Sequence, residues 1–315
     1  MAQAPAVEPD VQDRPAVQPR ERGSAVPDLR GHVAVVTGAS RGVGKGVALG
    51  LGEAGATVYL TGRSTDPGTA PFGATLQATA DEVGQLGGTA VPVALDHNDD
   101  AAVAALFDRV RAEHGRLDVL VNNVFTLPTT MPFGGERFWQ LPLSLWDDLH
   151  GIGLRAHYVA SVHAAPLMVE RGRGLIVNIS SFGGRDYTFT PAYGTGKAAV
   201  DRLARDMALE LQPYGVAAVS VYPGIVRTET IMSMSDLPFD VARGESPHFT
   251  GRAVAALAAD PDILARSGQV LVGADLAREY GFTDLDGTQP QSLGEFWDGR
   301  PDAGTDSPGT DGSGS

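Results

Sequence analysis

Residues 32–55 read HVAVVTGASRGVGKGVALGLGEAG, and a strand, a turn and a helix follow one another within them. HVAVVT (32–37) is a short apolar, β-branched run of the kind found in strands buried on both faces. VGKGVALGLGEAG (43–55) spaces its apolar residues at helical intervals and ends at Gly55, a residue suited to the left-handed position after a helix. Between them lie Thr37, Gly38, Ala39, Ser40, Arg41, Gly42, Val43 and Gly44. Gly38 permits a tight turn, and Gly42 and Gly44 let backbone approach an anion closely. At a helix N-terminus, free N–H groups and the helix dipole favour negative charge. A glycine turn between strand and helix is the setting for a dinucleotide pyrophosphate, with Ser40, Arg41 and Val43 in the same loop.

Outward from this unit the pattern alternates. Strands are expected at 57–62, 89–95, 117–123, 174–181, 216–224 and 268–273, with helices near 74–86, 99–114, 144–170 and 191–212. Strands apolar on both faces and separated by helices predict a parallel sheet covered on both sides. Right-handed crossovers then make it an α/β, doubly wound, Rossmann-type sheet of about seven strands. Ligands of such sheets sit beyond the carboxyl ends of the strands.

The second strand ends YLTGRS, with Thr61, Gly62 and Arg63 where an NAD-binding fold places an acid against the ribose 2′-hydroxyl. An arginine suits a 2′-phosphate by charge and by its fork of donors. Arg63 and Arg41 together therefore predict NADP(H).

PAYGTGKAAV (191–200) opens a helix with Tyr193 and Lys197 four residues apart, on one face. A free tyrosine titrates near 10, and a nearby ammonium stabilises the phenolate and lowers that value. The preceding strand ends in Ser180 and Ser181, whose hydroxyls can hydrogen-bond a carbonyl oxygen.

Taken together, TGASRGVG (37–44), NNVF (122–125), the serine-bearing strand end, YGTGK (193–197) and PG (223–224) resemble the single-domain short-chain dehydrogenase/reductase family, over about residues 29–275. The resemblance implies that Ser181 orients a substrate carbonyl, Tyr193 is the proton donor or acceptor, and Lys197 supports Tyr193 and the nicotinamide ribose. It places Asp96 and His97 near the adenine, Asn123 on the cofactor side of the fourth strand, and Pro223, Ile225 and Thr228 near the carboxamide. Longer segments, among them FWQLPLSLWDDLHGIGLRAHY (138–158), YPGIVRTE (222–229) and ADLAREYGFTDLDG (274–287), look like the subgroup known as the dehydrogenase/reductase short-chain family member 1 type. That likeness implies NADPH-dependent reduction of ketones or aldehydes, steroids and other lipophilic compounds among them. Family resemblance also implies a homodimer or homotetramer paired through long helices.

The chain departs from the family pattern at three places. NNVF puts Val124 and Phe125 where the family has small residues. An aromatic, proline-rich insertion at 126–145 could roof a substrate cavity, run over the surface or make an oligomer contact. In WDDLHGIGLRAHY (146–158), Gly153 stands where the family carries an asparagine thought to hold a relay water. Gly151 and Gly153 favour a kink. His150 and His157 could serve the relay in the asparagine's place, although a packed or solvated histidine is the safer reading of each. Met232, Met234 and Phe239 lie where the family's substrate loop falls, and would give it an adaptable apolar lining.

Composition bounds the rest. The chain has 315 residues, no cysteine and a net charge of −14. Disulfides, thiol nucleophiles and cysteine metal sites are excluded, no metal is expected, and nucleic acid is an unfavourable partner. No apolar run approaches the roughly 20 residues that span a bilayer, and the N-terminus lacks a secretory apolar region. A cytoplasmic protein is the expectation. Residues 1–28 and 299–315 read as disordered tails around one domain at 29–298. The alternative to an enzyme is a catalytically silent NADP(H)-binding, redox-sensing protein of the same fold.

Overall fold

The computed structural model describes residues 26–126, 131, 136–235, 237 and 240–293. Most of both expected tails, much of the 126–145 insertion and Phe239 lie outside the described residues.

Among the described residues, seven parallel strands form one sheet in the order β3-β2-β1-β4-β5-β6-β7. They are β1 (Val33–Thr37), β2 (Thr57–Gly62), β3 (Thr89–Ala94), β4 (Val119–Asn122), β5 (Gly174–Ile179), β6 (Val216–Tyr222) and β7 (Val270–Val272). The connecting helices are α1 (Gly42–Glu53), α2 (Leu76–Gln85), α3 (Asp100–His114), α4 (Ser144–His150), α5 (Ala156–Val169), α6 (Pro191–Leu211), α7 (Glu229–Met232), α8 (Pro247–Ala259) and α9 (Gly273–Tyr280). The expected doubly wound fold is present, and the order reverses between β1 and β4, so the carboxyl ends of those strands frame the ligand crevice.

Successive strand residues point to opposite faces, and the two faces have separate cores. Ala34 and Val36 of β1 join Val47, Leu51 and Val254 of α1 and α8. Val33 and Val35 join Val103, Leu106, Leu167 and Met168 of α3 and α5. Helices α1 and α8 touch backbone to backbone. A Cβ on Gly46 would lie 1.9 Å from the Pro247 carbonyl oxygen, and one on Gly251 would lie 2.1 Å from that of Gly46. This contact fixes the N-terminal half of α1, and hence the glycine turn, against the start of α8.

The helix expected at 144–170 is continuous but not uniform. Between α4 and α5, residues Gly151–Arg155 form a single π-helical turn, closed by the Ala156 N–H donating to the Gly151 carbonyl. One residue is thereby inserted into the α-helical ladder, a feature that recurs at functional sites. The expected irregularity at the two glycines is thus a widened turn.

Candidate active site

Beyond the ends of β1, β2, β3 and β4 lies a cavity of about 300 Å³. Its wall contains Gly38, Ser40, Arg41, Gly42, Val43, Gly44, Arg63, Asp96, His97, Asn123 and Thr228, eleven of the residues singled out from sequence. Gly42 adopts φ +58°, in the left-handed region that glycine enters without strain. Its N–H donates to a Glu229 carboxylate oxygen at 2.9 Å, so an anionic oxygen already occupies the free end of α1. That is the chemistry a phosphate requires of this position. The turn is held from β4: Asn123 Nδ2 donates to the carbonyls of Thr37 (2.9 Å) and Gly38 (3.1 Å). A Cβ on Gly44 would stand 2.2 Å from the Gly38 oxygen and 2.3 Å from that amide.

At the ribose end, Thr61 is buried against His97, its Oγ1 2.8 Å from His97 Nε2. Burial lowers the His97 pKa to about 4, so the ring is neutral near pH 7. Arg63 is 70% exposed and lies 3.7 Å from Asp96, a loose, solvent-screened pair that leaves the guanidinium able to meet a second anion. The residues present therefore fit a dinucleotide, and the cation beside the ribose end fits a phosphorylated one.

On the other side of β4 the two serines separate. Ser180 is buried and donates to the Lys197 carbonyl at 3.3 Å. Ser181 turns toward α6, its Oγ 2.9 Å from Tyr193 Oη, while accepting from the Gly183 N–H at 3.2 Å. Lys197 is buried and donates to the Ile179 carbonyl at 3.3 Å. Burial brings its ammonium down to about 8, opposed by Asp201 one turn along.

The tyrosine corrects one expectation from sequence. Burial raises the Tyr193 pKa, and the opposing effect comes from the Ser181 hydrogen bond. The Lys197 ammonium stands over the face of the ring, 5.9 Å from its centre, and not against the hydroxyl. Helical spacing brings the two residues together but does not aim the charge at the phenol.

Both histidines are packed, as the safer reading has it. His157 is buried, with Nε2 3.0 Å from the Val124 carbonyl. A carbonyl only accepts, which places the proton on Nε2. Burial and Lys197 bring its pKa to about 3. His150 Nε2 donates in the same way to Ala192 at 3.0 Å, and the ring stacks on Trp146.

Pro223, Ile225 and Thr228 follow β6. The Ile225 carbonyl accepts from the Glu245 N–H at 2.8 Å, and Thr228 Oγ1 accepts from the Ile231 N–H at 3.3 Å at the start of α7. Glu245 itself is buried, with its pKa raised to about 8 by desolvation, and it ties this segment to α8 through Thr250. Sequence reasoning missed Glu245 and Glu229, and read Phe125 only as a departure from the family pattern. Glu229 directly follows the family's Thr228 and was legible as an acid beside an anion site. Of the insertion, Met131 is buried with Leu145 and Leu149 against Phe125, Phe189 and Tyr193, whereas Phe138 and Trp139 are exposed.

The profile of the short chain dehydrogenases matches residues 32–237. The mouse protein named dehydrogenase/reductase SDR family member 1 is 48% identical over 276 residues, covering 83% of this chain and 86% of its own length. Among solved structures, a metagenomic short-chain oxidoreductase in complex with NADP is 35% identical with a TM-score of 0.61, over 78% of this chain and 97% of its own. A 7α-hydroxysteroid dehydrogenase complexed with NADH and 7-oxo glycochenodeoxycholic acid is 25% identical with a TM-score of 0.66, over 83% of this chain and 96% of its own. Sequence and architecture agree over most of the chain, which therefore belongs to the short-chain dehydrogenase/reductase family of oxidoreductases.

Proposed function

We propose that the protein is an NADP(H)-dependent carbonyl reductase that converts a lipophilic ketone or aldehyde to the alcohol. The observation that carries this reading is the Ser181–Tyr193 hydroxyl pair, 2.9 Å apart, beside the buried Lys197 and next to the dinucleotide cavity. Two hydroxyls at that separation can both reach one carbonyl oxygen. Ser181 orients the oxygen, and Tyr193, protonated near neutral pH, donates to it as negative charge develops. A bound nicotinamide supplies the hydride at its carbon 4. Lys197 supports the tyrosine and would donate to ribose hydroxyls of a bound cofactor. The glycine turn with Ser40, Arg41 and Val43 would hold the pyrophosphate, Asp96 and His97 would lie near the adenine, and Asn123 on the cofactor side of β4.

Three further observations support the finer parts of the reading. Arg63, without an acid at the end of β2, favours a 2′-phosphate. The apolar group of Met131, Leu145, Leu149 and Phe189 at Tyr193 favours a lipophilic substrate, in line with the steroid named for the 7α-hydroxysteroid dehydrogenase. Trp146, Tyr158 and Val162, exposed on α4 and α5, favour a homodimer or homotetramer.

The test is a spectrophotometric screen of ketones and aldehydes with NADPH and NADH. Turnover of bulky alicyclic ketones with NADPH preferred is the expected result. NADPH binding with no turnover of any carbonyl would overturn the reading in favour of a redox-sensing binding protein.

A further inference from the structure

Phe125 belongs to both halves of the site. It lines the dinucleotide cavity, and its ring stands edge-to-face with Tyr193 at a centroid separation of 6.1 Å. The Lys197 ammonium lies over the face of the same ring, 4.7 Å from its centre. A cation at that distance is attracted by the ring quadrupole, and the attraction grows when both partners are withdrawn from water. The backbone carrying the ring is pinned from two sides. The Val124 N–H donates to Thr37 Oγ1 at 3.0 Å, and the Val124 carbonyl accepts from His157 Nε2 at 3.0 Å.

The ring has room because of the π-helical turn opposite. A Cβ on Gly153 would lie 2.9 Å from Phe125 Cδ2 and 3.1 Å from Cε2. The first is closer than Cβ atoms come to other atoms, and the second requires the ring to give by a few tenths of an ångström, against its contacts with Lys197 and Tyr193. Gly151, two residues earlier, has no heavy atom within 4 Å of its would-be Cβ. The constraint is therefore specific to position 153 and to the ring that faces it.

We propose that Phe125 is a positioning residue of this site: its ring face holds the Lys197 ammonium beside Tyr193, in a space that a glycine at 153 keeps open. The proposal rests on the catalytic reading above for its effect on rate. Its physical content is a cation–π contact and a steric pairing, and both can be read without turnover.

The groups around the ammonium bound its titration. From its own helix come Asp201 and Tyr193, from α5 the neutral His157, and from β6 Tyr222, which donates to Asp201. Ring attraction favours the charged lysine, so loss of the ring face lowers the lysine pKa further below its ordinary value.

The sequence contains two lysines, Lys45 and Lys197, and Lys45 pairs with Glu82 on a part-exposed surface. NMR of the full chain labelled at lysine Cε thus offers two signals, one of them an internal reference. In Phe125→Leu, which keeps apolar bulk without a π face, the Lys197 titration should move down by roughly half a unit or more while Lys45 stays in place. The alkaline limb of kcat should move with it. Thermal unfolding of Gly153→Ala, Phe125→Ala and the double variant tests the pairing. Gly153→Ala should destabilise the native chain, yet be neutral or stabilising in the Phe125→Ala background, where the added methyl has space and alanine favours the helix. An unmoved Lys197 titration in Phe125→Leu, or an equal cost of Gly153→Ala in both backgrounds, overturns the proposal. Absence of carbonyl turnover by the wild-type chain, with the NMR shift and the coupling intact, counts against the reductase reading alone.

Discussion

At the glycine turn the working surface is backbone. The Gly42 N–H meets a carboxylate, and Gly38 and Gly44 pack so closely that no side chain fits at 44. At the Tyr193 end the working surface is side chains, brought by β5, α6, the end of β4 and the π-helical turn. The first region tolerates almost no change of shape. The second should tolerate change where a partner changes with it, as proposed for Phe125 and Gly153. On the proposed function, one cleft binds by fixed backbone at one end and does chemistry by adjustable packing at the other.

Substitutions can break this contrast at either end. Among substitutions at the cofactor end, Gly44→Ala should have the largest effect, because its methyl meets the Gly38 carbonyl and the Asn123 amide at once. NADPH affinity should fall by more than tenfold and thermal stability by roughly 1–3 kcal/mol, read by fluorescence titration and calorimetry. Arg63→Ala leaves the backbone cradle intact and removes one exposed cation. The NADPH-to-NADH ratio in kcat/KM should drop about tenfold with little change for NADH. Glu229→Ala should act least and in the opposite sense. Removing the carboxylate that holds the Gly42 N–H should tighten NADPH by a few-fold, an effect of about 0.3–1 kcal/mol. An unchanged or weaker affinity in that variant would show that the acid does not compete with the pyrophosphate.

The same contrast explains what the sequence could reveal. The backbone end is local: strand, turn and helix lie within residues 32–55, and each glycine acts on its near neighbours. The sheet is legible for a similar reason, since apolar runs and helical spacing are short-range signals. At the chemical end, Ser181, Tyr193 and Lys197 are legible as types and spacings, and the structure brings Ser181 rather than Ser180 to the tyrosine. The direction of a charge is not. Spacing predicts that Lys197 lowers the Tyr193 pKa, whereas burial raises it and the ammonium faces two aromatic rings. Phe125 and Gly153 lie 28 positions apart and read separately as an intrusive aromatic and a helix defect. Only the fold shows that they fill one space.

Removal of a single hydroxyl decides whether Tyr193 supplies the proton in an NADPH-dependent carbonyl reduction. In Tyr193→Phe, NADPH should still bind with nearly wild-type affinity, since the cradle is untouched, while kcat on the best ketone falls by roughly 10²–10⁴-fold. Wild-type kcat in that variant would contradict the assignment.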